Sequence, residues 1–449
     1  MVHTFSINGI NIAVDVYSGA IHILDDEAYS FLKKHEDGEI FKNPSLAEDL
    51  TEIEKAVYDE LYELYKDELL FCPDVYKVYA DNWHKNSVVK ALCLHIAHDC
   101  NLRCKYCFAD TGAFHRKRDM MSPEVGKAAI DFVIKNSGAR KNIEVDFFGG
   151  EPLMNFDTVK EIVEYADKAG AENGKNFRYT ITTNGLLLDD EKLAYINEHM
   201  SNIVLSIDGR KEINDKMRVT EGGKGCYDVI LPKFIKTAES RNQDNYYVRG
   251  TFTANNLDFA QDVIHLADLG FKQISVEPVV ESPDKQYAIR DEHLEQVYAE
   301  YERLANEYVK RRKEGEPFNF FHFMLDIEAS PCAIKRLSGC GAGHEYVAVT
   351  PNGDIYPCHQ LAEDENYKMG NVFDGELDGK LKNMFESNNI YTKPECEKCW
   401  AKFYCSGGCP ANALKFNGDI TKPYKIGCDM QRKRFECAIY AAAHAESVQ

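Results

Sequence analysis

Fifteen cysteines gathered into two bunches constrain this chain more than any other feature of its sequence. Cys100, Cys104 and Cys107 form one knot, nine more lie between Cys332 and Cys437, and only Cys72, Cys93 and Cys226 stand apart. Incidental core thiols scatter, and an odd count does not pair off into disulfides. Disulfide frameworks belong mainly to small secreted domains that lack a sufficient core. Here 449 residues, 44% of them hydrophobic, are enough for two or three domains with cores of their own. The opening run MVHTFSINGINIAV has neither the cationic start nor the small-residue cleavage site of a signal peptide. No apolar run approaches the roughly 20 residues that cross a bilayer. The expectation is a cytoplasmic protein with no membrane partner, in which bunched cysteines mean metal or redox chemistry. Acidic residues number 73 against 53 Lys and Arg, a net charge of -20. That balance argues against nucleic acid as a partner, because a phosphate backbone needs a basic footprint.

Three regions are expected. Residues 1–75 read as a small unit in which Ile10, Ile12, Val14 and Val16 alternate with polar residues after an Asn8-Gly9 turn, a hairpin signal. A turn at Ser18-Gly19 leads to a third strand over residues 20–24. Ser45 with Glu48 reads as a capping box for a helix carrying Leu46, Leu50, Ile53, Val57, Leu61 and Leu64. Strands and helices of this size predict a winged-helix-like domain. Residues 1–90 carry 18 acidic and 8 basic side chains, so peptide binding by strand addition fits it better than DNA. After a linker over 76–90, strand-like runs at 91–97, 142–148, 177–182, 202–207, 246–253 and 271–279 alternate with helical segments. Six such units predict an α/β fold with a partial (β/α)6 barrel over 91–315, whose chemistry sits at the C-terminal strand ends. Residues 292–315 read as an exposed, charged helix. From 316 to 449 the chain is loop-rich and cysteine-rich.

The sharpest motif is Cys100-Asn-Leu-Arg-Cys104-Lys-Tyr-Cys107, directly after the first barrel strand. Three close thiolates suit a soft metal centre. A closed zinc site would need a fourth ligand, His95 or His98. A cluster on three cysteines instead keeps one iron open to a ligand. CNLRCKYC resembles the signature of the radical S-adenosylmethionine (radical SAM) enzymes, and other marks of that family stand at the expected strand ends. The resemblance implies that Gly149, Gly150, Glu151 and Pro152 form the turn that meets the amino group of SAM. It also implies SAM contacts from Tyr106, Thr183, Asn184, Ser206, Asp208, Arg218 and Glu277, with Arg218 suited to a carboxylate.

A second pattern follows: Cys340, Gly353 and Cys358, then Cys396-x2-Cys399-x5-Cys405-x3-Cys409, and finally Cys428. It resembles the SPASM domain, an iron–sulfur extension of peptide-modifying radical SAM enzymes. That resemblance implies Cys396, Cys399, Cys405 and Cys428 on one auxiliary cluster. It puts Cys340, Cys358 and Cys409 on another, with Cys332 a candidate fourth ligand. Cys437, Cys72, Cys93 and Cys226 read as packed thiols. The alternative is a pair of structural zinc sites.

The whole chain resembles the maturases of SCIFF peptides (six cysteines in forty-five residues), through VKALCLHIAHDCNLRCKYCFADTGAF and VDFFGGEPLMNF in particular. The implied activity joins a cysteine sulfur to the α-carbon of a threonine in a ribosomally made, cysteine-rich precursor whose leader binds the N-terminal unit. The implied cofactors are SAM and three [4Fe-4S] clusters, reduced by an external donor such as flavodoxin or ferredoxin. His359 stands where the related sulfatase maturases carry an Asp that acts as base; it is the one candidate for a catalytic base, or equally a histidine that supports a nearby cluster. Other radical SAM peptide modifications, namely a different crosslink, epimerisation or formylglycine formation, remain alternatives. So does a non-catalytic iron–sulfur or zinc protein that binds peptides.

Overall fold

The computed structural model describes residues 1–80, 87–325, 336–362 and 364–446. The chain opens with a three-stranded antiparallel sheet, β1 (Val2–Ile7), β2 (Ile10–Asp15) and β3 (Ile21–Leu24), in that order. Asn8 (φ 52) and Gly9 (φ 74) both take positive φ in the β1–β2 turn, which matches the twist of a tight hairpin. One face of the sheet carries Ala13 into a small core with Phe31, Leu32, Ile40, Phe41, Tyr58, Leu61 and Leu70. The helices Asp26–Lys34 and Glu39–Lys42 supply four of these residues and were not expected.

The predicted capping box at Ser45 does not form. Residues Pro44–Ala47 make a single 3-10 turn, and the helix starts later, at Glu52–Lys66. Thr51 and Glu54 close the capping box there, each bonding the other's backbone N–H. Leu46 and Ile53 are consequently exposed. The other face of the sheet places Phe5, Ile7, Ile12 and Val14 in the main core. The N-terminal unit is therefore fused to the body rather than free-standing.

All six expected strands of the body are present: β4 (Ala91–Ala97), β5 (Asn142–Gly149), β6 (Asn176–Thr183), β7 (Asn202–Ser206), β8 (Tyr246–Phe252) and β9 (Gln273–Pro278). They pair in parallel in sequence order. Residues Ile143, Val145, Phe147, Phe177, Tyr179 and Ile181 are buried on the side the helices cover. Alternate positions such as Phe148, Thr182, Ser206, Arg249 and Glu277 line a cavity on the concave side. Short β10 (Asn319–Phe320) extends the sheet beyond β9. At the opposite end β11 (Tyr346–Val349) pairs in parallel with β4, followed by antiparallel β12 (Asp354–Tyr356) and β13 (Gly370–Asn371). The C-terminal region is thus hydrogen-bonded onto the barrel edge.

Two further expectations change. The helix Leu294–Glu314 is not exposed: Leu294, Val297, Tyr301, Leu304, Ala305, Tyr308 and Val309 are buried along one face. The last region is less loop-rich than expected, because Lys425–Glu446 forms a 22-residue helix. It packs against Leu294–Glu314 and β1. Cys93, Cys226 and Cys437 are buried, as read for packed thiols, and Cys72 is half-buried.

Candidate active site and cluster-binding cysteines

The chain leaves β4 at Ala97 and enters the three-cysteine loop. That loop is pinned from two sides. Arg103 N–H donates to the Val219 carbonyl at 2.6 Å and Lys105 N–H to Met217 at 3.0 Å, so the loop lies against the segment that carries Arg218. On the other side, Gly150 N–H donates to Ala97 (2.7 Å) and Glu151 N–H to Asp99 (2.9 Å). Gly149 has φ +117, a conformation that favours glycine, and a Cβ on Gly150 would lie 2.0 Å from the Asp99 oxygen.

Cys100, Cys104 and Cys107 line a cavity of about 250 Å³ at the C-terminal strand ends. Around them it collects Tyr106, Gly149, Gly150, Thr183, Asn184, Ser206, Arg218, Glu277 and His359. Three of the residues read as SAM contacts stand behind this wall instead. Pro152 is buried under the turn. The Glu151 carboxylate accepts from Thr183 Oγ1 (2.8 Å), Asn184 N–H (2.8 Å) and Leu153 N–H (3.0 Å). Burial pushes its pKa up to about 7, with those hydrogen bonds pulling the other way. Asp208 accepts from Tyr106 Oη (2.8 Å) and Thr251 N–H (3.0 Å) and faces Arg218 at 3.0 Å. Glu151 and Asp208 hold the wall in place. Glu277 lines the cavity, but its carboxylate pairs with Arg249 at 3.2 Å. Arg249, Thr251, Phe148 and Val279 line the cavity and were missed, because one residue in an alternating strand reads as a solvent face.

The thiols suit a polynuclear metal centre. Burial pushes Cys100 up to about 12, and it raises Cys104 further. Both therefore stay protonated unless a metal takes the proton's place, since a coordinating thiol is deprotonated outright. Leu102 N–H already points at Cys100 Sγ (3.4 Å), and Asn184 Nδ2 lies 3.6 Å from it. Among the described residues no three His, Cys, Asp or Glu side chains converge on a single-ion site. The three thiols border one shared cavity. Arg218 Nε is buried and lies 3.0 Å from an Asp208 oxygen, so Asp208 balances the guanidinium charge. Its place on the cavity wall suits a ligand carboxylate.

Cys396, Cys399, Cys405 and Cys428 line one further cavity, of about 40 Å³. Cys340 and Cys409 are the charges that act most on buried Cys358, so those three also gather. Cys332 lies outside the described residues. His359, next to Cys358, turns its ring toward Phe148 (5.0 Å) and Phe108 (5.6 Å). Its Nδ1 is 3.2 Å from Tyr346 Oη. Burial pulls its pKa down to about 4, so the ring is neutral at pH 7.

Residues 94–244 match the radical SAM superfamily model, and residues 340–400 match SPASM, described as an iron-sulfur cluster-binding domain. The chain is 25% identical over 369 residues to radical SAM cyclopropyl synthase TigE of Paramaledivibacter caminithermalis, covering 77% of this chain and 72% of TigE. It is 24% identical over 332 residues to the cysteine-type anaerobic sulfatase-maturating enzyme of Clostridium novyi, covering 70% and 86%. Among solved structures, native anSMEcpe with bound AdoMet and Kp18Cys peptide superposes with TM-score 0.63 at 20% identity, over 80% of this chain and 99% of that one. Streptococcus suis SuiB bound to precursor peptide SuiA gives TM-score 0.52 at 17% identity, over 94% and 97%. The fold is that of a radical SAM domain followed by a SPASM domain. No helix among the described residues is long and apolar enough to cross a membrane.

Proposed function

We propose that this chain is a radical SAM maturase of a ribosomally made peptide, and that it joins a cysteine sulfur to an α-carbon, that of threonine, as a thioether. One observation carries the reading: the three thiols of the C-x3-C-x2-C loop border the same cavity as Ser206, Arg218 and the Gly149-Gly150 turn. Cys100, Cys104 and Cys107 would hold the cluster that binds SAM. The four-cysteine cavity and the Cys340–Cys358–Cys409 group would hold two more. These groups, when loaded and fed by a donor such as flavodoxin or ferredoxin, supply the 5′-deoxyadenosyl radical and nearby electron acceptors.

The protein's own contribution is positioning and exclusion. Asp208 fixes Tyr106 and Arg218, and Arg218 borders the cavity, where it would meet a carboxylate. Glu151 ties the glycine turn to Thr183 and Asn184, which sets the distance between the β5 and β6 ends of the cavity. Phe108, Phe148, Val279 and Val280 give it apolar wall that keeps water from a reactive centre. Thioether formation removes one hydrogen atom from the α-carbon, one proton from the thiol and one electron. His359 Nε2 is the candidate to take that proton, with its Nδ1 held by Tyr346.

The N-terminal unit would bind the leader. Its support is β3, which among the described residues pairs with β2 alone and exposes Ile23, so an extended peptide can add to the edge. The similarity to sulfatase-maturating enzymes favours formylglycine formation as the second reading. Mass spectrometry of a precursor peptide encoded beside the gene separates the two. Thioether formation removes two hydrogens and joins two residues that then stay linked on fragmentation. An oxidised single residue with no crosslink would replace the proposal with the second reading.

A further inference from the structure

Lys393 caps the short helix Pro394–Glu397 that carries Cys396, and it is 1% exposed. Its ammonium donates to the Gly407 carbonyl at 2.6 Å, in the turn between Cys405 and Cys409. That carbonyl is its one hydrogen-bond partner among the described residues, and no carboxylate there pairs with it. Lys402, equally buried, lines the four-cysteine cavity with Arg432 but has a counter-charge of its own. It lies 3.5 Å from Asp74 and faces the rings of Tyr17, Tyr391 and Phe403. A buried ammonium without a counter-charge costs several kcal/mol, so a chain does not keep one without cause. The groups whose charge acts on Lys393 are Cys396, Cys405, Cys409 and Cys428. Three belong to the four-cysteine cavity and one, Cys409, to the neighbouring group. Burial pulls the lysine's pKa below its usual value, and these four cysteines pull it back. As neutral thiols they offer little compensation. As thiolates around a cluster they carry net negative charge, which grows when the cluster gains an electron.

We propose that Lys393, alongside Arg432 and Lys402 on the cavity wall, is a counter-ion of the C-terminal clusters, a positioning residue whose buried ammonium offsets their negative charge and raises the reduction potential of the cluster on Cys396, Cys399, Cys405 and Cys428. This rests on the cluster reading of those cysteines. A fixed positive charge beside a cluster stabilises its reduced form, because net charge is one of the quantities that sets its potential. The same charge is a burden when the site is empty. Lys393 is therefore expected to act with opposite sign in the empty and loaded protein, which a merely structural lysine does not do.

The test compares Lys393→Gln, which can still donate to a carbonyl, with Lys393→Arg, which keeps the charge. Both are made in the full chain with Cys100, Cys104 and Cys107 replaced by Ala, so that the first cluster adds no signal. In the metal-free protein, Lys393→Gln should unfold at the same or higher temperature than the parent. In the iron-loaded protein it should release iron faster to a chelator. A spectroscopically monitored redox titration should show its reduction equilibrium disfavoured at least tenfold, about 59 mV for a one-electron couple. Lys393→Arg should stay within about threefold of the parent. An unchanged potential in Lys393→Gln, or equal destabilisation of empty and loaded protein, overturns the counter-ion role alone. Iron content that does not fall when Cys396, Cys399, Cys405 and Cys428 are replaced overturns the cluster reading and the inference together. If Lys393→Gln does not fold, Lys393→Met carries the same comparison.

Discussion

Replacing Gly150 with alanine adds one methyl group where three backbone segments meet. Its carbon would sit 2.0 Å from the Asp99 oxygen, 2.6 Å from the Asp99 carbonyl carbon and 3.1 Å from Gly112 Cα. Comfortable contact is about 3.5–4.0 Å, so something must retreat by more than an ångström. None of the three is a side chain that can turn away. Asp99 must move, and Cys100 follows it directly in the chain. The shift also breaks the 2.9 Å bond from Glu151 N–H to the Asp99 carbonyl. Overpacking of this kind costs about 1–3 kcal/mol. The broken bond adds about 1 kcal/mol. The sum, about 2–4 kcal/mol, is a large share of the ~5–15 kcal/mol that holds a domain folded. Misplacing a reacting group by about 1 Å costs on the order of 100-fold in rate. The assay is urea unfolding, iron content after anaerobic reconstitution, and the rate of 5′-deoxyadenosine release. Gly222→Ala, where nothing lies within 4 Å, is the matched control. If Gly150→Ala loads iron fully and cleaves SAM within about threefold of the parent, the close approach of these segments does not position Cys100.

Asp208→Ala should cost about 3–5 kcal/mol in urea unfolding, because it strands the Arg218 charge in the protein interior; a cost below 1 kcal/mol would mean the pair is not buried in solution. Lys402→Met should loosen the seam between the N-terminal unit and the four-cysteine region, seen as faster amide exchange around Tyr17 and Tyr76 with slower exchange kept in β4–β9. Ile23→Pro on the β3 edge should weaken binding of a precursor leader at least tenfold while peptide-independent SAM cleavage stays unchanged; equal leader affinity would move the binding surface elsewhere. That affinity should also fall as salt is raised, since the unit is strongly acidic.

The parts of the molecule that the sequence made legible are those where local pattern and final packing agree. Strands β4 to β9 end within two residues of their expected ends, because a parallel sheet buries a run such as that of β4 nearly whole. Ser45–Glu48 had the spacing of a capping box, but Thr51 and Glu54 have it too, and only tertiary packing of Tyr58 and Leu61 selects between them. The helix Leu294–Glu314 looked exposed because its 21 residues include many charges, yet its stripe from Leu294 to Val309 fits the groove beside Lys425–Glu446. That last helix escaped notice because Cys428 and Cys437 were read as ligand and stray thiol, and its apolar content is carried by alanines. At the site, cysteine spacing was sufficient to gather the ligands. It could not reveal that Glu151 and Asp208 brace the wall, or that Arg249 turns inward, since both depend on strand register.

The most direct test of the account is SAM cleavage itself. Anaerobically reconstituted protein, given SAM and dithionite without peptide, should release 5′-deoxyadenosine and methionine in equal amounts. Replacing Cys100, Cys104 and Cys107 together with Ala should abolish that release and remove about one cluster's share of iron, while the C-terminal cysteines keep theirs. Release by the triple variant at the parent's rate, or none from fully loaded parent protein, would contradict the assignment of this cavity.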